Sequence, residues 1–122
     1  MILSVTPQIR TLDLNQSIAF YVEKMGMEED FRFEDFYAGI KAGSNSFHIK
    51  LVDKKDPTTT CIENGEHFHL YFATDAIDEL VSRCTDNGVE VFKPLTNTPW
   101  NSKEFVIKDP DGNILYFSQA QE

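Results

Sequence analysis

The chain has little of what marks several functional classes. Only two of its 122 residues are cysteine, Cys61 and Cys84, which is too few for a disulfide scaffold in a chain long enough to build a core. Lysine and arginine total 11 against 20 aspartate and glutamate, giving a formal net charge of −9 with no basic run. Nucleic acid and anionic membranes are therefore not expected as partners, because both need a positive surface. No apolar stretch is long enough for a signal peptide in residues 1–10 or for a transmembrane helix after them. A cytoplasmic protein with reduced thiols is expected. The sequence also lacks a phosphate-cradling glycine loop, a nucleophile elbow and a Ser-His-Asp pattern.

What is present is ample apolar material. Hydrophobic residues make up 41 %, including ten Phe and four Tyr, enough for a packed interior and for flat ligand-binding surfaces. The length fits one compact domain, or two small modules sharing a core. The negative charge favours a cationic small ligand through the overall field, or serves only solubility.

Residues 104–119 organise the rest. They read as strand, tight turn, strand: Pro110 pre-sets φ, Gly112 supplies a positive φ, and Asp109 and Asn113 can bond the local backbone. Phe105 and Ile107, then Leu115 and Phe117, alternate with a period of two toward a core. From the start of the chain, residues 2–10 alternate as a first strand, with Pro7 placing it at an edge. Asp13 can cap a helix over residues 14–24 with the stripe Leu14, Ile18, Tyr21, Val22 and Met25, ended by Gly26. Three short strands follow, at residues 31–33, 37–42 and 47–52, with a turn at residues 43–46. Residues 53–66 are a polar linker.

The pattern then begins again. Residues 67–73 alternate, Asp75 can cap a helix over residues 76–87 with the stripe Ile77, Leu80, Val81 and Cys84, and Gly88 ends it. A strand from Val89 and a loop carrying Pro94, Pro99 and Trp100 lead into the hairpin. Gly26 stands thirteen positions after Asp13, and Gly88 thirteen after Asp75. The expectation is an α+β fold of two β-α-β-β-β modules, about 1–53 and about 66–122, in one domain. Apolar strand faces pack under the helices. Thr6, Gln8, His48, Lys50, His67, His69, Tyr71 and Tyr116 share the opposite, concave face.

This arrangement resembles the vicinal oxygen chelate superfamily of glyoxalases, bleomycin-resistance proteins and dioxygenases. The resemblance rests on Asp13-Leu14-Asn15-Gln16-Ser17-Ile18-Ala19-Phe20-Tyr21, on Met25-Gly26-Met27, and on the turn 109–113 with its strand ending at Gln119. It implies paired modules forming a cupped sheet, often completed in a homodimer. It also implies four metal-ligand places in the metal-dependent members, which fall here on Thr6, Lys50, His69 and Tyr116. Only His69 is a good divalent-metal ligand, and Lys50 is a cation where a carboxylate is implied. The sequence is most similar to the metal-free bleomycin-resistance branch through Pro99-Trp100-Asn101-Ser102-Lys103-Glu104-Phe105.

That branch implies sequestration of a small organic ligand with no cofactor. Phe33, Tyr37 and Trp100 offer stacking surface for an aromatic ligand, and Glu104 a partner for its positive charge. Trp100 can equally serve as a dimer anchor or a lid over its own core. The alternative is a divalent-metal lyase or dioxygenase, holding Zn, Ni, Mn or Fe on His48, His67 and His69. A third reading is a dimeric partner-binding domain with no ligand. The bland reading of the histidines is polar groups in a solvated cavity, and that of Tyr71 and Tyr116 is packing with the hydroxyl in water. Lys50 can pair with a ligand carboxylate or with Glu104, or remain solvated. Cys84 reads as a packing residue and Cys61 as unreactive.

Overall fold

The computed structural model describes residues 1–59 and 68–121. Cys61, Asn64, Gly65 and His67 lie outside the described residues. Two units, Met1–Asp56 and Pro57–Glu122, each carry their own sheet.

In the first module β1 (Gln8–Thr11) leads to α1 (Leu14–Ala19), which runs on into a π-helical turn (Phe20–Lys24). The strands β2 (Glu28–Phe33), β3 (Tyr37–Ala42) and β4 (Asn45–Leu51) follow. Their spatial order is β1-β4-β3-β2, with β1 parallel to β4 and the other pairs antiparallel. The Asp13 carboxylate caps α1 by accepting from the Gln16 N–H at 3.0 Å, which satisfies a donor that the first turn leaves orphaned. Leu14, Ile18, Tyr21 and Met25 are buried, as are Ala38, Ile40, Phe47 and Ile49 of the sheet. The Tyr21 ring meets Phe47 edge-on at 5.1 Å.

Phe20 is buried as well, which α-helical spacing does not predict. The cause is the π turn. The Met25 N–H reaches the Phe20 carbonyl at 3.0 Å, five residues back, so the wider turn lets adjacent Phe20 and Tyr21 both face inward.

The second module repeats the plan with β5 (Leu70–Ala73), α2 (Ile77–Asp86), β6 (Glu90–Asn97), β7 (Ser102–Lys108) and β8 (Ile114–Ala120). Its order is β5-β8-β7-β6, with β5 parallel to β8. The chain thus has the α+β architecture of two β-α-β-β-β modules. Phe105, Ile107, Leu115 and Phe117 are buried on the inner face of the hairpin. In the β7–β8 turn Gly112 takes φ 91°. The buried Asp109 carboxylate accepts from the Asp111 N–H at 3.0 Å, the Asn113 N–H at 2.8 Å and Asn113 Nδ2 at 2.9 Å.

Three local expectations are corrected. The first strand begins at Gln8, not residue 2, and Met1, Ile2, Leu3 and Val5 are almost fully exposed. Alternation supplies a buriable face but no partner strand. The ladder makes its last contact where the His48 N–H meets the Pro7 carbonyl at 2.9 Å, and Pro7 has no N–H to return. In the second module β5 starts at Leu70, so Phe68 is 90 % exposed instead of facing the core. Asp75 is not the cap of α2. The cap position is Ala76, and the Ile77 N–H is taken instead by Gln119 Oε1 of β8 at 2.9 Å. No helix among the described residues is long and apolar enough to cross a membrane.

Candidate functional site

Strand alternation and register decide what the outer face of the first sheet carries. Gln8 pairs with His48 and Arg10 with Lys50 across β1–β4. Tyr37 pairs with Lys50 and Gly39 with His48 across β3–β4, and Phe31 pairs with Gly39 across β2–β3. All of these side chains therefore leave the sheet on the side opposite α1. Gly39 is what lets them converge. The Phe31 ring lies over it, and a Cβ at that position would collide with Phe31 Cε1. Phe31 and Tyr37 have nearly parallel rings, 6.2 Å apart at 20°. His48 presents its edge to both, at 5.1 and 5.3 Å.

The polar atoms form a directed chain. Gln8 Nε2 donates to Tyr37 Oη at 3.0 Å, and Tyr37 Oη lies 2.9 Å from His48 Nδ1. Between Tyr37 Oη and His48 Nδ1 the phenol donates when the ring carries its proton on Nε2 and accepts when that proton is on Nδ1. In the first arrangement Nε2 is left as a donor. Beside it, Lys50 is exposed, with no ion pair among the described residues. Its neighbour Arg10 reaches Asp56 at 3.5 Å. Phe33 is 57 % exposed and packs edge-on against Phe36 at 5.7 Å. Thr6 is exposed and precedes β1.

The corresponding face of the second sheet is also aromatic. Tyr71 pairs with Tyr116 in register, their rings 6.1 Å apart at 19°. The half-buried His69 ring lies 5.2 Å from Tyr116. Glu104 is half-buried between Ser118 and Thr96 in register, with no ion pair among the described residues. This face is less polar than the sequence pattern suggests. Val106 and Ile114 are buried on it and pack with Phe92 and Tyr116, while Lys108 sits over the Phe92 ring at 5.4 Å. Trp100 is 66 % exposed in the β6–β7 turn, next to Asn101 at φ 64°. It is not a lid over its own core.

Gln8, Tyr37, His48 and Lys50 are thus brought together in one module, and His69, Tyr71, Glu104 and Tyr116 share a face of the other. Phe31, Gly39 and Arg10 were not singled out from the sequence as site residues. The available signal was a glycine inside a strand, which marks close approach of a neighbouring group.

A divalent metal does not fit the residues at the four implied ligand places. Thr6 lies outside the strand, Lys50 is an ammonium flanked by the Arg10 guanidinium, and Tyr116 is committed to an aromatic stack. Among the described residues no group of three or more His, Cys, Asp or Glu could hold a metal ion.

The profile of the Glyoxalase/Bleomycin resistance protein/Dioxygenase superfamily matches residues 2–117. The chain belongs to this superfamily. No functionally curated protein matches its sequence. Several solved superfamily folds resemble it over their whole length. A bleomycin-binding protein from bleomycin-producing Streptomyces verticillus, complexed with copper(II)-bleomycin, is 21 % identical with a TM-score of 0.68, covering 100 % of this chain and 98 % of that one. A bleomycin resistance determinant encoded on transposon Tn5 is 19 % identical with a TM-score of 0.77, covering 99 % and 100 %. The fosfomycin resistance protein FosX from Listeria monocytogenes is 19 % identical with a TM-score of 0.77, covering 99 % and 96 %. At these identities the likeness is one of fold.

Proposed function

We propose that this glyoxalase/bleomycin-resistance-type protein binds and sequesters a flat aromatic organic molecule without a metal. The observation that carries the reading is the platform of Phe31, Tyr37 and His48 over Gly39. Rings of fixed orientation and a hydrogen-bonded polar edge suit stacking of a planar ligand. The mismatch between metal chemistry and the residues at the implied ligand places supports independence from a metal. The existence of bleomycin-binding proteins with this fold supports sequestration as a role it can serve. The second module, taken by itself, carries an outer face with the stacked Tyr71 and Tyr116, His69 beside them, and Glu104, a surface suited to an aromatic group with a positive charge.

Homodimer formation is part of the proposal. Met1, Ile2, Leu3 and Val5 expose an apolar N-terminal stretch that leads into β1, an end strand in the order of the first sheet, and a second copy of the chain is the occupant proposed for it.

The test is elemental analysis of untagged protein, as isolated and after addition of zinc, nickel, manganese and ferrous iron, together with an aromatic ligand screen on wild type and Phe31→Ala. The expected result is no stoichiometric metal and aromatic binders weakened by the substitution. Tight stoichiometric metal would instead favour a lyase or dioxygenase using His48, His67 and His69.

A further inference from the structure

The net charge of −9 points to a cationic ligand, yet the first module's platform has the opposite local sign. Lys50 and Arg10 are register neighbours on its outer face, and Lys50 is in register with Tyr37 on its other side. Arg10 is engaged by Asp56 at 3.5 Å, whereas Lys50 is exposed with no ion pair among the described residues. With the Tyr37 hydroxyl donating to Nδ1, the Gln8–Tyr37–His48 chain leaves His48 a donor at Nε2. Beyond a Debye length of about 8 Å at physiological salt, the distributed acidic charges are screened, so the groups at the platform decide ligand charge. A cation there would meet an ammonium and a ring N–H. An anionic oxygen would gain two donors, one of them charge-assisted.

We infer that the first module's platform selects a planar aromatic anion, such as an aromatic carboxylate, with its ring on Phe31 and Tyr37 and its acidic oxygens on Lys50 and His48 Nε2. The inference rests on the proposed aromatic binding and adds the charge class to it. Lys50 sets specificity, and Gln8 and Tyr37 are positioning residues that fix the His48 proton.

The probes are 2-naphthoate and the neutral, matched 2-naphthamide, titrated by calorimetry at physiological salt into the full chain. Four proteins are compared: wild type, Lys50→Gln, Lys93→Gln as a control with the same change in net charge, and Phe31→Ala. Wild type is expected to bind naphthoate about tenfold more tightly than naphthamide, as one charge-assisted contact allows. Lys50→Gln is expected to abolish that difference with the naphthamide affinity unchanged, while Lys93→Gln preserves it. Naphthoate binding no tighter than naphthamide, or an advantage that survives Lys50→Gln, overturns the anion assignment while Phe31-dependent naphthamide binding keeps the aromatic reading intact. Absence of binding by both probes, or binding indifferent to Phe31→Ala, overturns the aromatic platform and the anion assignment with it.

Discussion

Two buried side chains give predictions at the scale of single residues. Ser17 is fully buried on α1, and its Oγ has no hydrogen-bond partner among the described residues. A hydroxyl left without a partner in a core forfeits its bonds to water. Ser17→Ala is therefore expected to leave stability unchanged or raise it by up to about 1 kcal/mol, read as the urea midpoint. Cys84 is fully buried, and burial pushes its thiol up to about 11, opposed in part by Arg83. A thiol raised in the folded state stabilises fully below its unfolded value near 9. That contribution is lost as pH rises toward the folded value, because the unfolded chain then releases the proton more readily. Urea midpoints at pH 8 and pH 10 should fall more for wild type than for Cys84→Ala. The sequence marked Cys84 as a packing residue because its place on the helical stripe was periodic. It gave no sign of Ser17, because a serine between Asn15-Gln16 and Ile18 reads as solvent-facing.

At the scale of elements, turn chemistry was the most legible feature. Pro110, Gly112 and the Asp109–Asn113 pair specify the β7–β8 connection locally, with no distant partner needed. Asp109→Ala removes three acceptor contacts at once and is expected to cost about 2–3 kcal/mol in denaturant unfolding, because the half-buried N–H groups of the turn lose a charged acceptor. The platform was less legible. Gln8 and His48 could be placed on a common face by alternation and Tyr37 read as stacking surface, but Phe31 over Gly39 depends on the register of β2 against β3, including its irregularity between Glu29 and Phe31. Gly39→Ala should displace the Phe31 ring while the chain still folds, since that ring is at the surface. Aromatic ligand affinity should drop with little change in melting temperature. The missed cap at Asp75 has a similar origin. The competing acceptor, Gln119, lies 42 residues from the Ile77 N–H it satisfies, beyond the reach of any local pattern.

At the scale of the whole molecule, the two modules share one strand order, 1-4-3-2 within each; the internal repeat in the sequence was enough to anticipate two like modules, but not the order of their strands. The N-terminal stretch was misread as strand because its alternation is genuine. If a second copy covers it, Ile2→Lys with Leu3→Lys should shift sedimentation from dimer toward monomer while far-UV circular dichroism is unchanged. The repeat also gives the π turn a historical meaning. Thirteen residues run from the α1 cap at Asp13 to Gly26, but only twelve from the α2 cap at Ala76 to Gly88. The wider turn takes up the surplus residue without lengthening the helix. If the halves descend from one duplicated ancestor, that turn is the trace of a single-codon insertion accepted in mid-helix, where length changes are ordinarily rejected. The chain should accordingly accept the reverse event at one helix and not the other. Deletion of Glu23 leaves a folded protein, whereas deletion of Ser82 from α2 turns the Cys84 stripe out of register and prevents folding.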